Sequence, residues 1–180
     1  MPLRNRNLYL DARTFFVTTT CNKWYHLLEG EKQKQIIYSS LNFLNKKYDA
    51  VFAGFALMPN HIHFIIFFVA ENHLSDYMRD FKKFTSGEIR RSFEEENNLV
   101  MLENLRYDFR GQKFKVWMDR FDDLHLKERE TTFTKLKYIH QNPVRKGLVE
   151  NAEDYKHSSV NFYLTGNEER LQMRNYLDIL

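Results

Sequence analysis

From Asp49 to Val69 the chain reads strand, turn, strand, and no other stretch constrains the fold as much. Asp49 to Met58 (Asp-Ala-Val-Phe-Ala-Gly-Phe-Ala-Leu-Met) has strand composition, Pro59-Asn60 is a turn signal, and His61 to Val69 is a second apolar run. The expected product is a β-hairpin, which commits the chain to an antiparallel sheet. The longest apolar stretch, Phe64 to Ala70, falls far short of the roughly 20 residues a helix needs to cross a bilayer. A membrane-spanning protein is therefore not expected.

The segments around the hairpin supply its partners. Arg13 to Thr20 is dense in β-branched and aromatic residues and predicts a first strand. Between Glu31 and Tyr48, Ile37, Leu41, Leu44 and Tyr48 recur at helical spacing among Lys and Gln, which predicts an amphipathic helix. After Glu71-Asn72 a second helical pattern places Leu74, Tyr77, Met78, Phe81, Phe84 and Ile89 on one broad face, with Arg79, Lys83, Ser86 and Arg90 opposite. Glu94 to Asn98 ends it. The stretch onward to Gln112 carries no clear period beyond a turn at Asp108 to Gly111. Lys113 to Met118 predicts a strand, and Thr131 to Gln141 a third helix that stops near Asn142, because Pro143 disfavours helical geometry in the residue before it. Loops and a terminal helix are expected from Val144 onward.

The order βαββαβα predicts an α+β fold, a ferredoxin-like βαββαβ sandwich with an antiparallel sheet, helices on one face and an additional tyrosine-bearing helix towards the C-terminus. The other sheet face is then free for a site. No repeat or linker divides the chain, so a single domain over 1–180 is expected, with 144–180 as an extension packed on it.

Composition agrees with one globular unit. The 180 residues are 43% hydrophobic and 28% charged, with six Gly and three Pro, which excludes a disordered or collagen-like chain. Sixteen Phe and ten Tyr supply ample apolar area for a core. Residues 1–7 are basic, but Asp11 and Arg13 leave no apolar segment behind them, so export is not expected. Cys21, the lone cysteine, can form neither an internal disulfide nor a cysteine-rich zinc site, and a reduced cytoplasm fits it best. The net charge of +3 permits a nucleic-acid partner without requiring one.

Chemistry concentrates at two places. In His61-Ile62-His63 strand alternation sends both imidazoles to one side, where two can chelate a divalent cation. Ile62, Phe64, Ile66 and Phe68 point the other way and would anchor the strand in the core. Such a pair standing alone is more often a set of hydrogen-bonding residues than a metal site. On the third helix, Phe133, Leu136 and Ile139 define an apolar side, whereas Tyr138 and Asn142 fall together nearly opposite. A tyrosine there is either a surface residue or a nucleophile, with the Asn142 amide oxygen one turn away as a neutral donor to the same cation.

Met58-Pro-Asn-His-Ile-His-Phe64 followed by Tyr138-Ile-His-Gln-Asn-Pro-Val-Arg-Lys-Gly-Leu-Val149 resembles the single-tyrosine HUH transposases, above all the REP-associated tyrosine transposases. The resemblance extends over about Arg13 to Leu164 and includes Tyr77 to Phe84 and Tyr155 to Tyr163. It implies that His61 and His63 hold Mg²⁺ or Mn²⁺ and that Tyr138 attacks a phosphate of single-stranded DNA. The products would be a 5′-phosphotyrosine and a free 3′-hydroxyl, at a hairpin-forming repeat. The third metal ligand is Asn142 by azimuth, with Gln141 as the alternative. After Trp117 the family usually has a glutamine and then a Phe-His-Asp run, whereas this chain has Met118 and Phe121-Asp122-Asp123; His125 either partly replaces the missing histidine or, more commonly for such a position, is an exposed loop histidine. Arg79, Lys83 and Arg90 in their helical stripe, the adjacent Lys82, and Arg145 and Lys146 are the expected DNA-contacting cations, although a solvated helix face accounts for the stripe almost as well. Related enzymes are monomers or homodimers. Two rival readings share the fold: a non-catalytic nucleic-acid-binding module that uses sheet aromatics, and a domesticated, inactive transposase.

Overall fold

The computed structural model describes residues 12–70, 72–167 and 170–179. The basic start at 1–7 and Glu71 lie outside them. Its main elements are β1 (Thr14–Thr20), α1 (Glu31–Tyr48), β2 (Ala50–Met58), β3 (His61–Phe68), α2 (Leu74–Glu95), α3 (Leu99–Leu105), β4 (Arg106–Phe109), β5 (Gln112–Phe114), β6 (Asp122–His125), α4 (Arg129–Arg145) and α5 (Val160–Thr165). Among the described residues no helix is long and apolar enough to cross a membrane.

Strands β2, β3, β1 and β6 form one sheet in that order, and every neighbouring pair is antiparallel. That is the ferredoxin-like arrangement the element order predicts. The fourth strand, however, is β6 rather than Lys113 to Met118. Residues Gln112–Phe114 pair only with β4 in a separate two-stranded ribbon. Asp-Asp-Leu-His has little intrinsic strand preference, and it becomes a strand because backbone groups along the free edge of β1 pair with it from Phe15↔His125 to Thr18↔Asp122.

The two sheet faces carry two cores. On one, Phe15, Val17, Phe52, Phe55, Leu57, Ile62, Phe64, Ile66 and Phe68 pack against Ile37, Leu41 and Leu44 of α1 and Tyr77, Met78, Phe81 and Ile89 of α2. Phe84 is not among them. It is 55% exposed, at the margin of the stripe that buries Phe81 and Thr85. On the other face Phe16, Ala53, Ala56, Met58 and Ile65 meet Leu126, Leu136 and Ile139. This face is therefore covered by α4, not left open. A β-bulge between Phe52 and Gly54 lets Phe52 and Phe55 share the first core while Ala53 and Gly54 turn towards α4. Gly54 is required by close approach, since a Cβ there would lie 2.5 Å from Leu136 Cδ1.

Helix α4 continues through Pro143 to Arg145, beyond the stop expected at Asn142. Packing prevails over the local preference: Asn142 and Pro143 are both buried, and Lys146 N–H closes the last turn on Asn142 O at 3.1 Å. Phe133, expected on the apolar side of α4, is 42% exposed and stacks on Tyr176 at 6.0 Å. The tail runs along the outer edge of β2, with Leu57 N–H bonded to His157 O, Ser159 N–H to Phe55 O, and Arg174 N–H to Phe52 O. It thereby covers an edge that would otherwise offer unpaired backbone groups. Among the described residues the helical content of the tail is the six-residue α5 and two single turns, at Ala152–Asp154 and Tyr176–Asp178.

Candidate active site

His61 and His63 stand on the α4 side of β3, as strand alternation predicts, and each is only 4% exposed. Pairing fixes their surroundings. Met58 and Thr20 flank His61 in register, while Ala56 and Thr18 flank His63. The imidazoles face each other with their Nε2 atoms 3.1 Å apart.

Hydrogen bonds at the far side of each ring explain this orientation. Asn60 Nδ2 donates to the Trp24 carbonyl at 3.2 Å, which leaves Asn60 Oδ1 as the acceptor 2.6 Å from His61 Nδ1. His61 Nδ1 therefore carries the proton and Nε2 presents its lone pair. Thr18 Oγ1 lies 2.7 Å from His63 Nδ1 and holds that ring in the same sense. Phe16 stacks on His63 at 5.8 Å with the ring planes 17° apart. Burial pushes His61 down to about 4, with the Asn142 amide opposing the shift and the Lys146 charge adding to it. Burial, then the His61 and Lys135 charges, push His63 down to about 3. Both rings are neutral at pH 7, the form that binds a metal ion.

Helix α4 brings Asn142 and Tyr138 onto this pair. Asn142 is 5% exposed, its Nδ2 lies 3.1 Å from His63 Nε2, and its Oδ1 is buried without a hydrogen-bond partner. An amide's O and N exchange by a half-turn of the side chain, and that turn would aim the orphaned oxygen at the histidine nitrogens. Two neutral imidazole lone pairs and one amide oxygen then converge, a donor set that fits a divalent cation. Among the described residues no cluster of three or more His, Cys, Asp or Glu side chains offers an alternative. Gln141, the other ligand considered from sequence, is exposed on α4.

The Tyr138 ring lies 5.3 Å from His63 at 74° and 6.0 Å from Phe16. It is 36% exposed, and its hydroxyl makes no hydrogen bond among the described residues. Two cations flank the ring: Arg145 Cζ at 5.4 Å and Lys135 Nζ at 5.8 Å from the centroid. Lys146 is close enough to act on His61. Arg145 and Lys146 thus stand at the site, as does Lys135, which sequence reading missed although it lies one turn before Tyr138.

The other expected cations lie elsewhere. Arg79, Lys83 and Arg90 are on α2, across the sheet from the histidines, and Arg79 pairs with Asp76 while Arg90 pairs with Glu94 at 2.6 Å. Lys83 is exposed. Lys82 donates to the carbonyls of Met118 and Arg120 at 2.9 and 3.2 Å, which fastens the segment leading to β6. His125 is not brought to the site, since it lies beside Phe15 on the opposite sheet face. Asn60, Thr18 and Phe16 were also missed. The only signal for them was the alternation of β1 and the residue preceding the histidine pair.

No curated protein matches the chain. A solved REP-associated tyrosine transposase bound to a REP hairpin shares 18% identity, with 91% of this chain and 87% of that chain covered and a TM-score of 0.65, which shows a common fold. A chain described as a transposase from Deinococcus radiodurans is 14% identical over 72% of this chain and 90% of its own, with a TM-score of 0.47. The family model for IS200-like transposases matches residues 12–142, a span that begins just before β1 and ends at Asn142. Both histidines and the tyrosine fall inside it, and the chain belongs to the IS200-like transposase family.

Proposed function

We propose that this transposase cleaves and rejoins single-stranded DNA through a 5′-phosphotyrosine on Tyr138, with Mg²⁺ or Mn²⁺ held by His61, His63 and Asn142. The observation that carries the reading is the placement of an open tyrosine ring against His63, beside the convergent nitrogens and the orphaned Asn142 oxygen. A cation bound there would draw charge from the non-bridging phosphate oxygens and make phosphorus more electrophilic.

The remaining steps belong to the chain's own residues. Lys135 and Arg145 flank the Tyr138 ring and would hold the strand's phosphates against it. The tyrosine oxygen forms a bond to phosphorus, the bond from phosphorus to the 3′ oxygen breaks, the phenol proton is released, and the 3′ oxygen takes one up. Reversal by a 3′-hydroxyl rejoins the strand without another energy source, because the phosphodiester is conserved in the tyrosyl ester. Burial of Leu136 and Ile139 fixes α4 on the sheet and therefore the attack geometry. The expected substrate is a hairpin-forming repeat, in keeping with the hairpin bound by the structurally similar relative. A binder using sheet aromatics would need an open sheet face, and α4 covers this one.

The test is incubation with a labelled single-stranded hairpin oligonucleotide in Mg²⁺ or Mn²⁺, followed by a denaturing gel and peptide mapping. A covalent adduct on Tyr138 supports the reading. An adduct on another residue, or cleavage undiminished in Tyr138→Phe, rejects it.

A further inference from the structure

We propose that Trp24 is a stacking platform for an unpaired nucleobase, on the side of the scissile phosphate from which the 3′ oxygen leaves; this rests on the strand-transfer reading above. Trp24 ends a tight turn after β1 in which Lys23 and Trp24 both have positive φ, 53° and 61°. A bulky side chain rarely adopts that conformation, which costs energy that glycine or asparagine would avoid. Of the five non-glycine residues with positive φ among those described, Trp24 is the only aromatic. Its ring is also 54% exposed, so core packing does not account for its presence. Strained conformations of this kind persist where surrounding contacts over-determine them, often at ligand sites.

The contacts here are specific. Cys21 N–H bonds to Asn60 O at 2.8 Å, Asn22 N–H to Val116 O at 2.7 Å, and Trp24 N–H to Cys21 O at 3.0 Å. The Trp24 carbonyl accepts from Asn60 Nδ2, and the same amide orients His61. The turn is thus tied to the histidine pair by a single side chain. Its indole lies 6.0 Å from the His61 ring at 70°, whereas Tyr138 lies 5.3 Å from the His63 ring. Trp24 and Tyr138 flank the two histidines from opposite ends.

That placement selects a nucleotide. In phosphoryl transfer the attacking and leaving oxygens lie roughly in line, so a phosphate attacked from the Tyr138 end expels its 3′ oxygen towards the Trp24 end. The nucleotide that keeps the 3′-hydroxyl therefore comes to rest beside the indole. Its base has a free π-face only because the strand is single. Stacking would retain that 3′ end near the phosphotyrosine, ready for the reverse reaction.

Fluorescence reports on this site, because the other tryptophan, Trp117, is 4% exposed and bonded to Thr85. With the full chain and an oligothymidylate of about a dozen nucleotides, binding should quench the Trp24 emission. Trp24→Ala should weaken binding roughly tenfold with an unchanged salt slope, and Trp24→Phe should keep most of the affinity. An abasic phosphodiester of equal length should bind wild type and Trp24→Ala alike. Trp24→Gly, which relaxes the turn, should lose the same affinity without a lower melting temperature. On a hairpin whose cut has been mapped, removing the base 5′ to the cut should cancel the Trp24→Ala effect, whereas removing the base 3′ to it should not. Equal binding of oligothymidylate by wild type and Trp24→Ala overturns the proposal. So does an equal loss on the abasic strand, or unfolding of both the Ala and Gly variants, which would make Trp24 structural. Base-dependent loss without any tyrosine adduct in the wild type would leave the stacking site standing and reject the strand-transfer chemistry.

Discussion

His61 Nδ1 donates to Asn60 Oδ1 across 2.6 Å, and this bond determines which nitrogen of His61 faces His63. Adjacent residues at a β-turn thus set the tautomer of a buried imidazole. Asn60→Ala should weaken Mn²⁺ binding about 10- to 100-fold, as loss of a ligand-orienting partner does at other metal sites. Asn60→Asp keeps the acceptor and should recover most of the affinity. Isothermal titration with Mn²⁺ checks both, and identical affinities for wild type and Asn60→Ala would show that the bond is incidental.

Tyr138→Phe removes a hydroxyl that bonds to nothing among the described residues. Its stability should stay within about 0.5 kcal/mol of wild type. Adduct formation should disappear, measured on the same labelled hairpin by denaturing gel.

Gly54 sets how closely α4 approaches the histidines, because Leu136 occupies the space a side chain would need. Gly54→Ala should destabilise the fold by about 1 to 3 kcal/mol through overpacking. It should also slow adduct formation by displacing Tyr138 and Asn142. Urea denaturation and single-turnover cleavage would measure the two effects; unchanged values for both would mean that the helix has slack at this point.

The buried histidines predict how stability varies with pH in the metal-free protein. Burial pushes His140, bonded to Ser159 at 2.9 Å, down to about 4, alongside His61 at about 4 and His63 at about 3. In the unfolded chain these groups take up protons near 6.5. Stability should therefore be full above that pH and fall as the pH drops towards 4, since the unfolded state binds the extra protons. His140→Gln should flatten the decline by one proton's share. Urea midpoints at several pH values read this directly, and a parallel decline in wild type and variant would contradict the buried, neutral assignment.

The cations divide by face. Lys135→Ala should weaken binding to unrelated single-stranded sequences and reduce the salt slope by about 1. Arg90→Ala should leave both unchanged, because Arg90 is paired with Glu94 and lies across the sheet from Tyr138. Titrations at several salt concentrations distinguish the two variants. A larger loss for Arg90→Ala would place the strand on the α2 side.

Much of this protein was legible without coordinates because it depends on local preference. The period of Glu31 to Tyr48 returns as α1 with those bounds, and the two apolar runs around Pro59-Asn60 return as β2 and β3. The shared face of His61 and His63 follows from strand alternation, which needs no partner to be known. What depended on partners was decided only by the tertiary structure. Asp122–His125 is a strand because β1 presents a free edge, not because its residues favour one. Azimuth on the helix favours Asn142 over Gln141, but its contact with His63 exists because Leu136 and Ile139 seat α4 at one rotation on the sheet. Arg79 and Arg90 are held by carboxylates on their own helix, while Lys135 faces the tyrosine. A sequence states which dihedral angles and faces a segment prefers, but the depth and rotation at which two segments meet come from packing between residues far apart in the chain.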